Sequence, residues 1–164
     1  MTCDARSDRT LGTALRHLLE LLDGDVEAVY REASLDYRPR YTPVMRALAD
    51  SRTLAIRDLA AAAGISHSAA SQTVAKMKAA GIVRQIAGQD GRERVVQLTR
   101  HGKALLPKLE ARWTATNAAA EELDRELSSR LTHTLEEAIA ALEARSFKQR
   151  IRANEARIAR KNPE

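Results

Sequence analysis

The chain has 164 residues, enough for one sizeable core or one domain with extensions. Apolar residues make up 44% of it but aromatics only 3%, so the core must be built of leucine, alanine and valine. No run of about 18 apolar residues and no signal-peptide pattern occurs, so no membrane association is expected; a single cysteine, Cys3, excludes an intramolecular disulfide framework and fits a reducing cytoplasm.

The net charge of +5 hides a division along the chain. Residues 39–103 carry eleven Lys or Arg against four Asp or Glu, and the last seventeen residues carry six against two. The segments 1–38 and 104–147 each hold five basic against eight acidic residues. Positive charge is thus concentrated in two places where phosphates could be met.

In chain order, a first helix is predicted from about Asp8 to Ala33, with Leu11, Leu15, Leu18, Leu22, Val26 and Val29 as its stripe and Gly24 as a point of bending. Thr42 then caps a short helix with Pro43 at its first position. Ile56, Leu59, Ala60 and Ala63 repeat at helical spacing up to Gly64, and Ser66 stands where the next helix needs an N-cap. A glycine in so short a connection is the mark of a helix-turn-helix.

The second of these helices, roughly 67–80, is divided. Ala70, Val74 and Met77 share one face, while Ser68, Ser71, Gln72, Ala75 and Lys76 lie opposite. Short polar groups with one long cation suit close approach to base edges and a phosphate anchor, although a polar face alone is as well explained by solvation. Gly81 closes the helix, and "IVRQI" and "RVVQL" alternate as the strands of a hairpin around "AGQDGRE". Asp90 and Arg92 sit two apart at its tip, where an extended arginine suits a narrow minor groove. Thr99 caps a long helix to about residue 126, with a kink predicted at Pro107; Ser128 starts another, with Leu131, Leu135, Ile139 and Leu142 on its stripe. The basic tail, with Phe147, Ile151 and Ile158 at helix-like intervals, leaves three readings open: an extension of that last helix, a phosphate contact, or a frayed end.

These residues resemble the MarR family of winged-helix transcription regulators. The resemblance rests on "IRDLAAAAGIS", "SQTVAKMKAAGIVRQ", "DGRE" and "LTRHGKALL", and runs from about residue 10 to 146. The segment "YRPRYTPVMRAL" is similar to one subgroup, some members of which carry a fused acetyltransferase domain that a chain ending at residue 164 is not expected to hold. The resemblance implies a homodimer on an inverted-repeat operator, often released by a small ligand or an oxidant. It implies base contacts from Ser66, His67, Ser68, Ser71, Gln72 and Lys76, and minor-groove insertion of Arg92. The family often has a basic residue where Gln72 stands; glutamine favours adenine and arginine favours guanine, so the base preference stays open.

The expected fold class is mainly α with a small β-hairpin: a winged helix-turn-helix flanked by long dimerisation helices. Residues 1–41 are read as the N-terminal dimerisation helix and connector, 42–103 as the DNA-binding lobe, 104–147 as C-terminal dimerisation helices and 148–164 as a basic tail. The expected function is that of a sequence-specific, double-stranded-DNA-binding repressor, dimeric and cytoplasmic, with a small-molecule effector as a further partner. Arg57, Lys76, Lys78, Arg84 and Arg94 are expected at phosphates. Tyr30, Arg38, Tyr41 and Trp113 are candidates to line a ligand pocket, or equally to be core. The alternatives are an architectural DNA-binding protein with little sequence preference and a winged-helix module regulating an enzyme through protein contact. No catalytic set, metal or cofactor is expected: His17 with Glu20, and His133 with Glu136 and Glu137, read as solvated helical pairs, and Cys3 in a frayed terminus is a poor oxidant sensor.

Overall fold

A computed structural model describes residues 9–88 and 94–161. The elements are α1 (Leu11–Glu32), one turn of 3-10 helix (Pro39–Tyr41), α2 (Thr42–Asp50), β1 (Leu54–Ala55), α3 (Ile56–Ala62), α4 (His67–Ala79), β2 (Val83–Ala87), β3 (Arg94–Leu98), α5 (Arg100–Glu126), α6 (Leu131–Ala144) and α7 (Phe147–Lys161). They divide into two units, Met1–Thr114 and Ala115–Glu164. The fold is mainly helical with one small sheet, as the sequence predicts.

The sheet has three antiparallel strands in the order β1-β3-β2. Val83 stands opposite Leu98 and Arg84 opposite Gln97 in the hairpin, and Leu54 opposite Val96 adds the third strand. Around this sheet Val44, Met45, Leu59, Val74, Met77, Ile82, Val96 and Leu109 are fully or almost fully excluded from water. Each contributes about 1.5–3 kcal/mol relative to exposure.

Three helices end with the same device. At α3, the N–H groups of Gly64 and Ile65 donate to the carbonyls of Ala61 and Ala60; at α4, those of Gly81 and Ile82 donate to Lys78 and Met77. Gly64 and Gly81 take φ of 64° and 69°, the left-handed conformation this cap requires. At α1 the same bonds run from Ser34 and Leu35 to Arg31 and Tyr30, but the left-handed residue is Ser34, with φ of 54°. A serine there is strained where a glycine would not be.

Several predicted starts differ, and two helices are continuous where the sequence marks a weak point. α1 begins at Leu11, capped by Thr10, which accepts from the N–H of Thr13, and the helix runs unbroken through Gly24. Thr42 lies inside α2 rather than capping it, because the preceding 3-10 turn leads straight into the helix; its hydroxyl instead accepts from the Tyr37 hydroxyl at 3.5 Å. α5 continues through Pro107, flanked by the buried Leu105 and Leu109. The tail forms a separate helix, α7, whose start is a capping box: the Gln149 N–H donates to Ser146 Oγ at 3.3 Å, and the Ser146 N–H donates to Gln149 Oε1 at 2.9 Å.

In the second unit, Asp124 of α5 replaces Ser128 as the cap of α6. Its carboxylate accepts from the Leu131 N–H at 2.8 Å and the Thr132 hydroxyl at 3.1 Å, with Arg130 at 3.7 Å. Burial by itself would raise the Asp124 pKa, but the hydrogen bonds from Leu131 and Thr132, with the Arg130 charge, win and hold it below the ordinary carboxylate value. No residue of α6 or α7 is buried. On α1, Leu11, Leu15, Leu19, Leu22 and Val29 are exposed, and Tyr30 alone is buried.

Two expectations follow from these contacts. A Cβ on Gly102 would stand 2.2 Å from the Ile82 carbonyl oxygen, which is backbone and cannot step aside. Gly102→Ala is therefore expected to lose about 1–3 kcal/mol of stability in urea unfolding. Because the Asp124 pKa is lowered on folding, its cap is fully effective above the ordinary value near 3.8 and is lost as pH falls through the lower folded value. Exchange of the Leu131 and Thr132 amides should accelerate across that acidic window, and Asp124→Asn should flatten the dependence.

Candidate nucleic-acid interface

The helix-turn-helix is assembled from local chemistry. The left-handed Gly64 stops α3, and two residues later Ser66 Oγ accepts from the Ala69 N–H at 3.2 Å to start α4. Ala70, Val74 and Met77 then anchor α4 on the core, at 0–2% exposure. A helix so fixed must turn the opposite side outward. Ser66, His67, Ser68, Ser71, Gln72, Ala75 and Lys76 are all exposed. The Gln72 amide Nε2 donates to Ser68 Oγ at 3.5 Å, the long limit of a hydrogen bond. The face is therefore mostly small side chains and uncharged hydrogen-bonding groups.

Further cations stand on α4, on α3 and on the hairpin strands. Lys76 and Lys78 occupy the last turn of α4, where the helix dipole favours them. Arg57, in the first turn of α3, is 85% exposed and 3.4 Å from Asp58. Arg84 is exposed on β2; with the Gln97 amide oxygen turned toward it, Gln97 accepts from Nε and Nη2 at 2.6 and 2.7 Å. Arg94 is exposed at the start of β3. Asp90 and Arg92, the predicted hairpin-tip pair, lie outside the described residues, as does Cys3.

Sequence reasoning passed over two further cations, Arg100 and Lys103. Both are exposed in the first turn of α5, where the helix dipole disfavours positive charge and no acidic residue offsets it. Their unfavourable place at a helix start was the signal available in the sequence. The turn they stand on is tied to the end of α4, because Thr99 Oγ1 donates to the Gly81 and Ile82 carbonyls at 2.6 and 3.1 Å while accepting from the Gly102 N–H at 3.0 Å.

Of the four pocket candidates, three are core. Tyr30 and Tyr41 pack edge-on against Tyr37, with ring centres 5.2 and 5.7 Å apart. Trp113 is buried beneath the Arg46 guanidinium, 4.9 Å from its ring centre. Burial among these rings pushes the Tyr37 hydroxyl pKa up, against the opposing hydrogen bond to Thr42. Arg38 alone lines a surface cleft, of about 400 Å³, where it pairs with Glu27 near Arg31 and Asp36. His17 stands 3.9 Å from Glu20 and His133 3.7 Å from Glu137 as exposed pairs. Among the described residues no three His, Cys, Asp or Glu side chains gather as a metal site would require, and no helix is long and apolar enough to cross a membrane.

Two helices joined by a tight turn, an exposed second helix and a paired hairpin behind it define a winged helix-turn-helix protein. Residues 35–93 match the profile of the MarR family, and in that segment the chain is similar to those winged helix-turn-helix proteins. Solved structures agree. A MarR family transcriptional regulator from Silicibacter pomeroyi DSS-3 is 26% identical with a TM-score of 0.57, over 80% of this chain and 94% of that one. The M. tuberculosis transcriptional regulator MOSR, solved in complex with DNA, shares the fold at a TM-score of 0.66 and 21% identity, over 85% of this chain and all of that one. So does the PcaV transcriptional regulator from Streptomyces coelicolor, solved with its natural ligand, at 0.58 and 17%, over 89% and 99%. No curated protein matches the sequence.

Because the Ser66 hydroxyl supplies the only side-chain cap at the start of α4, Ser66→Ala is expected to lower stability by about 1 kcal/mol in urea unfolding.

Proposed function

We propose that this chain is a sequence-specific DNA-binding transcription regulator, a cytoplasmic homodimeric repressor on an inverted-repeat operator. The observation that carries this reading is the division of α4: Ala70, Val74 and Met77 are buried, and the serine- and glutamine-bearing side opposite them is open to a major groove. Ser66, His67, Ser68, Ser71, Gln72 and Lys76 take the base-proximal contacts. Lys78, Arg57, Arg84, Arg94, Arg100 and Lys103 meet phosphates and fix register. Arg92, steadied by Asp90, reaches the minor groove from the hairpin tip.

The leucine-rich side of α1 and the exposed Ile139 and Leu142 of α6 support dimerisation, since a second copy would cover apolar surface that the single chain leaves wet. Two α4 helices then enter successive major grooves about 34 Å apart. A small molecule releases the operator; the ligand-bound state of the PcaV regulator supports this part of the reading.

Selection of bound sequences from a random DNA pool, followed by gel shifts over a salt series, tests the reading. A palindromic consensus with half-sites one turn apart is the expected result. Uniform retention of all sequences would favour an architectural protein, and no retention at low salt a protein-contact module. On the selected site, Gln72→Ala should lose about 1–3 kcal/mol of discrimination between bases with little change in nonspecific affinity. Arg92→Ala should instead weaken binding chiefly where the flanks are A/T-rich.

A further inference from the structure

The second concentration of positive charge is a formed helix. α7 has fifteen residues, six of them Lys or Arg against Glu155 alone, and every described residue from Ile151 to its end is exposed. It is fixed to what precedes it: besides the capping box, Arg150 donates from Nη2 to the Ala141 carbonyl at 2.8 Å and from Nε to the Arg145 carbonyl at 3.2 Å. Arg157 donates to Asn154 Oδ1 at 3.1 Å. Lys148, Arg152, Arg160 and Lys161 have no carboxylate partner among the described residues. Four cations held on a fixed helix without counter-charge repel one another unless an anion is bound.

The distribution of these charges selects the anion. At 100° per residue, Phe147, Ile151 and Ile158 form a narrow apolar strip that Asn154 interrupts, and the cations occupy the remaining circumference rather than only its margins. A helix lying in a membrane surface needs a broad apolar side with its cations confined to the other. A charged polymer that neutralises isolated point charges fits better, and the winged helix already supplies one. We propose that α7 is a second, sequence-independent DNA-binding element whose Lys148, Arg152, Arg160 and Lys161 take backbone phosphates not used by the winged helix. This inference rests on the regulator reading, and deepens it by dividing specificity and affinity between two parts of the chain.

The test compares the full-length protein with a variant carrying Lys148→Gln, Arg152→Gln, Arg160→Gln and Lys161→Gln, on the selected duplex and on a random-sequence duplex. Arg150 and Arg157 are kept, so the helix retains its anchors. Each lost phosphate contact should flatten the dependence of log affinity on log salt by about 0.9, so a slope shallower by about 2–4 is expected, with equal weakening on both duplexes. A second variant, Arg152→Lys with Arg160→Lys, should keep the salt slope of the unmodified chain, since each position keeps its positive charge at the phosphate. An unchanged slope overturns the proposal, as does a loss confined to the selected duplex. A halved mass in light scattering overturns it in favour of a dimer contact. Loss of binding to phosphatidylserine vesicles with DNA binding intact overturns it in favour of a membrane. If the unmodified chain binds neither duplex at low salt, the regulator reading fails together with this one; binding with an unaltered slope sinks α7 alone.

Discussion

The arrangement of the winged-helix unit depends on one backbone carbonyl. Ile82 is the residue where α4, the hairpin and α5 meet. Its N–H closes α4 on the Met77 carbonyl, its side chain is wholly buried, and its own carbonyl receives the Thr99 N–H at 2.9 Å and shares the Thr99 hydroxyl. Gly102 must pack directly on that carbonyl, at a distance no side chain permits. The end of α4, both hairpin strands and the start of α5 are thereby referred to the same few atoms. A displacement of any one strains the others, because close-packed interiors transmit small shifts rather than absorbing them. This gives the start of "LTRHGKALL" a physical meaning: Thr99 supplies a hydroxyl that donates and accepts at once, and Gly102 supplies the missing Cβ.

The same economy governs the helix ends. α3, α4 and α1 close by the same pair of backbone bonds, each followed by an apolar residue that turns back into the core: Ile65, Ile82 and Leu35. In two cases the left-handed residue is glycine. In the third it is Ser34, which also borders the cleft holding the Glu27–Arg38 pair. The connection after α1 is therefore the most conformationally strained of the three, held by burial of Tyr30 and Leu35 on either side of it.

How far the sequence could be read follows the range of the interactions involved. The capping of α4 by Ser66, its termination at Gly81, the burial of Ala70, Val74 and Met77, and the Thr99 cap were legible because each depends on residues within a turn or two. β1 was not, since two residues carry no periodicity and pair with a partner some forty positions away. Ser128 was the natural local cap for α6, yet Asp124 does the work from the helix before it, a choice made by tertiary packing. Thr42 failed as a cap for the opposite reason, a 3-10 turn already supplying the entry to α2. The "SFKQ" capping box is equally local, a serine and a glutamine three residues apart. Tyr30, Tyr41 and Trp113 share a property that pattern alone cannot resolve: a large ring with a polar edge serves a core and a pocket equally, and here the three rings are packed within the unit's own interior.

The chemistry of α4 bears on how affinity and selectivity divide. Its open side offers hydroxyls and an amide, with Lys76 the one cation directly among them. Neutral groups of this kind gain little from the phosphate field but lose heavily when a base edge leaves them unpaired, so they discriminate without adding much nonspecific attraction. The cations that would add it stand elsewhere, and several are already restrained: Arg84 by Gln97 across the hairpin, Arg57 beside Asp58. A restrained guanidinium loses less side-chain freedom on meeting a phosphate, and an adjacent carboxylate subtracts from the attraction it offers. In the proposed complex the winged helix would therefore be a selective but moderate binder on its own, which is the circumstance in which a separate basic helix, with cations that have no carboxylate partner, contributes most.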